Sequence, residues 1–218
     1  MSAFDAVLEE HGAAGLVTEL RVAIEQKERV RTVTLLSAMI RIDKLADHMA
    51  VHEARAAEVV ISALIAFSND AMIAQAALCA LFRCWAGGIA PFDSEWVPTA
   101  DILSAVLGAA RDHASDLLVQ QAALRLLKLH AVSGLQLVLA PSVVQVIAKA
   151  TCAFPRDETI QSFAAEAICA LNGIEVADWV EAHGQSKYEA FRLASLELAM
   201  KMKRPSSVRI NGRDWQER

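Results

Sequence analysis

The chain has 218 residues and a formal net charge of −5, and 55% of its residues are hydrophobic while only 6% are aromatic. This alanine- and leucine-rich composition excludes an intrinsically disordered chain and allows one domain with a sizeable core. The apolar runs are short and interrupted by charged residues, so we predict no membrane span.

The charge is unevenly distributed along the chain. Residues 201–218 contain six basic and two acidic side chains, a net charge of +4, which leaves −9 for residues 1–200. An acidic body is a poor electrostatic match for a phosphate backbone. Nucleic-acid binding by residues 1–200 is therefore disfavoured.

The N-terminal sequence and the cysteines bear on the cellular compartment. The first thirteen residues, MSAFDAVLEEHGA, are acidic and lack a continuous apolar segment, so we expect neither a signal nor a transit peptide. The four cysteines form no CxxC pair and lie in apolar helical runs, where a thiol acts as a small hydrophobic group. We expect a reducing compartment, the cytoplasm, with the nucleus or the cytoskeleton as alternatives.

Apolar residues recur at helical spacing along most of the chain, and capping and breaking residues delimit the helices. Gly12 and Gly15 mark the start of the second helix. No alternating pattern or hairpin turn indicates a strand, which predicts an all-α protein. The predicted helices cover about residues 3–10, 16–24, 28–45, 53–67, 70–85, 100–112, 116–131, 142–153, 158–171, 176–183 and 187–202. The predicted N-cap signals include Ser-Asn-Asp at 68–70, Ser115 or Asp116, and Asp157.

Four segments of twelve residues share one pattern and begin at Arg31, Ile73, Val119 and Ile160. These starts are 42, 46 and 41 residues apart, and the longest interval contains the loop 87–98. We number the residues of each segment as register positions one to twelve. Position five is small in three segments and position nine is large in all four, which predicts helices packed closely against their neighbours.

The segment IQSFAAEAICAL at 160–171 resembles the third helix of an armadillo repeat, and HGAAGLVTEL at 11–20 is similar to that family's glycine-containing entry. HEAT repeats, with a related two-helix unit, are the close alternative within the solenoids, and a compact helical bundle is the alternative to a solenoid. The resemblance covers residues 11–172, and 175–202 would be a degenerate or capping unit. It implies an all-α, right-handed α-solenoid of about four repeats with capping helices over 1–202, followed by a basic tail, 203–218, that we expect to be flexible.

In the armadillo family, the third helices line a groove that binds extended peptides, and the resemblance assigns register positions three, seven and eleven to that groove. Importin-alpha-type repeats carry Trp at seven and Asn at eleven. Neither stands there in this chain, which argues against a receptor for nuclear localisation signals. The remaining stripe is basic and would bind an acidic peptide or a chain terminus through bidentate hydrogen bonds. Its candidate residues are Arg41, Gln75, Arg83, Gln121 and Arg125. Alternatively, the arginines pair with nearby carboxylates such as Asp43, Asp47 or Glu166.

Two further segments offer contacts with a partner. The loop contains Phe92 and Trp96, which either anchor a partner or fold back over the hydrophobic core. The tail contains Lys203, Arg204 and Trp215. We expect this basic segment to dock on an acidic neighbour, either another molecule or the protein's own acidic body.

Catalytic and metal-binding residue types are present, but they have simpler explanations. His48 and His52 lie at a predicted helix boundary without a third ligand. Asp112, His113 and Ser115 are close in sequence but lack a nucleophile elbow or a phosphate loop. We expect a non-catalytic scaffold or adaptor that binds other proteins within a larger assembly, with no cofactor, metal, small-molecule substrate or membrane. The alternatives are a structural subunit of a cytoskeletal or ciliary complex, and a HEAT-like nucleic-acid-binding protein, which the acidic body disfavours.

Overall fold

A computed structural model describes residues 3–42, 50–51, 54–86, 100–132 and 140–171. Within these ranges the chain is helical and contains no strand, so the predicted all-α class is confirmed. The helices are α1 (Ala3–Glu25), α2 (Arg29–Ile40), α3 (Ala56–Ala66), α4 (Ala71–Ala86), α5 (Ala100–Asp112), α6 (Leu117–Val132), α7 (Ala140–Ala153) and α8 (Glu158–Leu171). The predicted helices at 176–183 and 187–202 lie outside the described residues.

Helix α1 contains a break at Gly12, whose φ of 63° and ψ of 174° are not helical. This left-handed φ is accessible to glycine at little cost because glycine has no Cβ. The break divides α1 into a short first segment and a longer second one. The prediction of two separate helices in this region is therefore confirmed.

Two helix boundaries differ from the prediction. Helix α2 ends at Ile40 and not near residue 45, because the N–H groups of Arg41 and Ile42 donate to carbonyls three residues earlier and tighten the last turn. Helix α3 begins at Ala56 and not near residue 53. Its N-cap, Arg55, has a left-handed φ of 58°. Neither of these two helix boundaries is marked by a glycine or a proline in the sequence.

The described helices pack as four consecutive pairs in two rows. Each odd-numbered helix packs against the even-numbered helix that follows it. The odd-numbered helices also contact one another in chain order, as do the even-numbered helices. The core therefore lies between a first row (α1, α3, α5, α7) and a second row (α2, α4, α6, α8).

The second-row helices bury the residues that the register predicted. The side chains at positions five and nine are all 7% exposed or less, and the alanines at position five let neighbouring backbones approach closely. Burying one large aliphatic side chain stabilises the fold by about 1.5–3 kcal/mol. The buried residues are Leu35, Ala77, Ala123 and Ala164 at five, and Met39, Leu81, Leu127 and Ile168 at nine.

The turns within the last three pairs are built alike. In each, an aspartate Oδ1 accepts a hydrogen bond of 2.8–3.2 Å from the backbone N–H three residues later, which caps the next helix. The aspartate N–H donates to the carbonyl of an aromatic residue three residues earlier. Of the two predicted N-caps of α6, Ser115 and Asp116, Asp116 is the one that caps the helix. The aspartates are Asp70, Asp116 and Asp157, and the aromatic residues are Phe67, His113 and Phe154.

Two buried glutamines at register position two repeat a second contact. Gln120 donates from Nε2 to the carbonyl oxygens ten and seven residues earlier, at 2.7 and 3.0 Å. Gln161 makes the same two contacts, both at 3.2 Å. These bonds satisfy carbonyls at the ends of α5 and α7 that have no partner within their own helix.

Among the described helices, none is both long enough and apolar enough to cross a membrane.

Candidate protein-binding surface

The second-row helices present one partly exposed stripe, formed by register positions three, seven and eleven. Successive residues of an α-helix are about 100° apart, so these positions share one face while five and nine point to the other. None of the twelve side chains is buried. We call this set the second-row stripe: Val33, Ser37 and Arg41 on or just after α2; Gln75, Cys79 and Arg83 on α4; Gln121, Arg125 and Leu129 on α6; and Ser162, Glu166 and Ala170 on α8.

Arg83 is held against the end of α2. Its Nε donates to the carbonyl of Ile40 at 2.9 Å and its Nη2 to the carbonyl of Ile42 at 3.0 Å. These two carbonyls flank Arg41, so the structure brings Arg41 and Arg83 together. The half-buried Arg83 is thus oriented by backbone carbonyls, which the sequence did not indicate, whereas Arg41 is exposed.

Arg125 lies across the boundary between α4 and α6. Its Cζ is 3.6 Å from the centroid of the Phe82 ring, a cation–π contact that stabilises an exposed site by about 0.5–1 kcal/mol. Phe82 directly precedes Arg83. The three predicted arginines therefore form one arginine group that runs from the end of α2, along α4, to α6.

The predicted glutamines lie at position three. Gln121 donates from Nε2 to both carboxylate oxygens of Asp157, at 3.1 and 3.2 Å, and so links α6 to the turn before α8. Gln75 is half-buried in the equivalent place on α4. The glutamines therefore lie nearer the N-terminal ends of the helices than the arginines do.

The α8 end of the stripe has a different charge. Glu166 forms an ion pair with Lys128 of α6 and accepts a hydrogen bond of 3.0 Å from Ser162 Oγ. The Nζ of Lys128 is also 5.6 Å from the centroid of the Phe163 ring. Lys128, at position ten of α6, thus contacts Glu166, at position seven of α8. Phe82, at position ten of α4, contacts Arg125, at position seven of α6, in the same way. Phe82 and Lys128 were not predicted as part of this surface, although both stand at register position ten, which could have identified them.

The cysteines near the stripe are not activated nucleophiles. Burial raises the pKa of the Cys84 thiol to about 12. Burial also raises the pKa of Cys79, although the nearby charge of Arg125 acts in the opposite direction. A thiol with a raised pKa remains protonated at neutral pH, and the thiolate is the reactive form.

The other candidate residues lie around the α5–α6 turn or outside the described ranges. Asp112 is exposed at the end of α5, Ser115 is exposed in the turn after it, and His113 takes the aromatic position of that turn. In the ranges that the structure describes, no three His, Cys, Asp or Glu side chains gather where they could hold a metal ion. The candidates that lie outside those ranges are His48, His52, Phe92, Trp96, Lys203, Arg204 and Trp215.

Comparisons with protein-family models, with curated proteins and with solved structures find no match for this chain. The function must therefore be argued from the chemistry of the surface.

Proposed function

We propose that the chain is a non-catalytic protein-interaction scaffold, built as a right-handed α-solenoid of four armadillo- or HEAT-like repeats. The two-row packing supports this repeat architecture, as do the three turns with one hydrogen-bond pattern. A single helix pair cannot bury its apolar face alone. Stacked pairs make a continuous core and leave a long surface for partners.

The arginine group on the second-row stripe is the observation that carries the proposed function. Arg83 and Arg125 are held by carbonyls and by an aromatic ring, so they lose little side-chain freedom when a ligand binds. A guanidinium matches a carboxylate through two parallel hydrogen bonds. The proposed ligand is therefore an acidic segment of another protein, or a chain-terminal carboxylate.

The charge along the stripe predicts where such a segment would lie. The cations extend from α2 to α6, whereas position seven of α8 is Glu166, which is paired with Lys128 and does not bind a carboxylate. Acidic residues of the partner would therefore lie over the first three second-row helices. Nucleic acid, the competing polyanion, carries far more charge than a short acidic segment, so the net charge of −9 on residues 1–200 disfavours it more strongly.

The test reverses the two exposed arginines and leaves Arg83 in place, because Arg83 also caps α2. The chain, the Arg41→Glu/Arg125→Glu variant and a matched control would be used as baits from the native cell. The control, Arg21→Glu/Arg111→Glu, makes the same charge change on exposed first-row positions. We expect partners to be lost by the stripe variant and retained by the control.

Equal partner lists for the chain and the stripe variant would contradict the proposal, as would equal losses for the stripe variant and the control. A salt-dependent affinity series with duplex DNA provides a second check, in which we expect no specific binding.

A further inference from the structure

Three of the most exposed large apolar side chains follow the register of the second-row helices. Val30, Met72 and Leu118 are 75%, 52% and 52% exposed, and each stands one residue before register position one. Single exposed hydrophobic residues are ordinary on protein surfaces. Three in equivalent places on three neighbouring helices are not scattered singly, so their alignment needs an explanation. We call Val30, Met72 and Leu118 the apolar row.

The apolar row crosses from one second-row helix to the next near their N-terminal ends. The side chain of Arg29, beside Val30, pairs with Asp70, whose Oδ1 accepts a hydrogen bond of 3.1 Å from the N–H of Met72. The N-terminal ends of α2 and α4 therefore lie side by side, and α4 packs in turn against α6. Because packed helices are about 8–10 Å apart, the row offers one large apolar side chain about every 10 Å.

The apolar row and the arginine group share one face. The apolar row stands one residue before register position one. Viewed down the helix axis, this place and positions three, seven and eleven fall within a sector of about 80°. Along the axis, position seven lies about 10 Å from the row and position eleven about 16 Å from it. One face thus carries an apolar rim at the N-terminal ends of the helices and cations toward their C-terminal ends.

The spacing of the row restricts the conformation of a ligand. A β-strand returns side chains to one face about every 7 or 13 Å, and neither distance matches the spacing of about 10 Å along the apolar row. An α-helix returns them every seven residues, about 10.5 Å, and a polyproline II chain every three residues, about 9.3 Å. Of these two, only the α-helix is wide enough, at about 10–12 Å, to reach from the row to Arg125.

Charge on either side of the row fixes the ligand's polar flanks. Of the turn segments beside the row, 67–72 and 111–118 each carry one net negative charge and 25–30 is neutral, whereas the arginines lie on the other side. A bound helix would therefore carry acidic side chains on the flank over the arginines. Basic or neutral side chains would occupy the flank over the turns.

We propose that this face binds an amphipathic helix of a partner protein, with a large apolar residue every seven positions and an acidic flank. The apolar residues seat on Val30, Met72 and Leu118, and the acidic flank meets Arg125 and its neighbours. This inference rests on the proposed function, because it names the kind of acidic segment that the stripe binds. It adds the helical conformation and the apolar anchors, which the proposed function does not require.

The probe is a labelled 18-residue peptide with leucines at its positions 2, 9 and 16, glutamates on one flank and lysines on the other. One comparison peptide carries the leucines at every fifth position, a second has lysines in place of the glutamates, and a third has a central proline that blocks the helix. Fluorescence anisotropy with the full chain at about 50 mM salt measures each affinity. We expect the seven-residue spacing to bind about tenfold or more tightly than every comparison peptide.

Protein variants separate the two parts of the site. We expect Met72→Gln/Leu118→Gln and Arg41→Glu/Arg125→Glu each to lower the affinity for the probe peptide about fivefold or more. Ile65→Gln removes a more exposed apolar side chain from a first-row helix and should change the affinity less than about twofold, as should Arg21→Glu/Arg111→Glu.

Binding that depends on the arginines but not on Met72 and Leu118 would overturn the helix proposal and leave the proposed function intact. Equal or tighter binding of the proline peptide would overturn it in favour of an extended ligand. Dimerisation of the chain alone, abolished by Met72→Gln/Leu118→Gln, together with no peptide binding, would assign the row to a second copy and also overturn it. Loss of all acidic-peptide binding would count against both proposals.

Discussion

His113 occupies the place in the α5–α6 turn where the equivalent turns carry Phe67 and Phe154. Its Nε2 is buried and has no hydrogen-bond partner in the part of the chain that the structure describes. A buried polar atom without a partner costs about 1–3 kcal/mol, whereas a phenyl ring in the same place has no such atom. This was not predictable from the sequence, where His113 was noted only because catalytic residue types, Asp112 and Ser115, lie near it.

We expect His113→Phe to raise the free energy of unfolding by about 1–2 kcal/mol, since it removes the unsatisfied nitrogen and keeps a ring of similar shape. Chemical denaturation at neutral pH would measure the change. The matched control is Phe67→His, which installs the same nitrogen in the equivalent turn and should destabilise the chain. A less stable His113→Phe variant would mean that the imidazole makes a stabilising contact.

Asp70 supports a second prediction at the residue scale, on pH. The side-chain hydrogen bond from Arg29, followed by the N–H groups of Ile73 and Met72, lowers the pKa of Asp70 below its ordinary value of 3.8. A carboxylate whose pKa is lower in the folded state stabilises the fold above its unfolded pKa. This stability is lost as the pH falls through the folded pKa.

We therefore expect Asp70→Asn to lower the free energy of unfolding at pH 7 by about 0.5–2 kcal/mol, because the cap and the ion pair weaken. The difference from the unaltered chain should shrink steadily as the pH falls below about 4. Urea denaturation at several pH values would measure it, with the exposed Asp112→Asn as the control. A difference that stays constant from pH 7 down to about pH 2 would refute the electrostatic explanation.

At the scale of the helices, local signals were predictable from the sequence and distant contacts were not. The caps at Asp70, Asp116 and Asp157 act within three residues of themselves. Residue types therefore sufficed to identify Asp157 and to narrow the other two to 68–70 and to Ser115 or Asp116. The end of α2 depends on Arg83, which comes from another helix and donates to carbonyls more than forty residues earlier in the chain. No local pattern contains that information.

Helix α5 contains a glycine whose replacement should stabilise it. A Cβ added to Gly108 would meet no atom within 4 Å, and the residue lies inside the helix. We expect Gly108→Ala to raise the free energy of unfolding by about 0.5–1 kcal/mol, because alanine loses less backbone entropy on folding. Thermal denaturation would detect the change.

Gly12→Ala is the matched control for this helix prediction. Its Cβ would also meet open space, but its φ of 63° is strained for alanine. This variant should be destabilised, or should straighten α1. A destabilised Gly108→Ala variant would show that the glycine is needed for close helix packing.

At the scale of the whole molecule, the register was the most informative feature of the sequence. It predicted which residues of the four second-row helices are buried, because a helix face follows from periodicity alone. It also named Arg41, Arg83 and Arg125 as neighbours along one stripe. It could not predict that Arg83 caps α2 or that Arg125 stacks on Phe82, since both contacts depend on how far each helix is shifted along the next one.

The central claim is that partners bind the second-row stripe. Lysine-directed crosslinking followed by mass spectrometry, on the assembly purified from the native cell, tests it most directly. Lys128 lies on α6 beside the stripe, whereas the exposed Lys149 lies on α7 in the first row. We predict partner crosslinks at Lys128 that are lost in Arg41→Glu/Arg125→Glu. Partner crosslinks at Lys149 with none at Lys128 would contradict the claim.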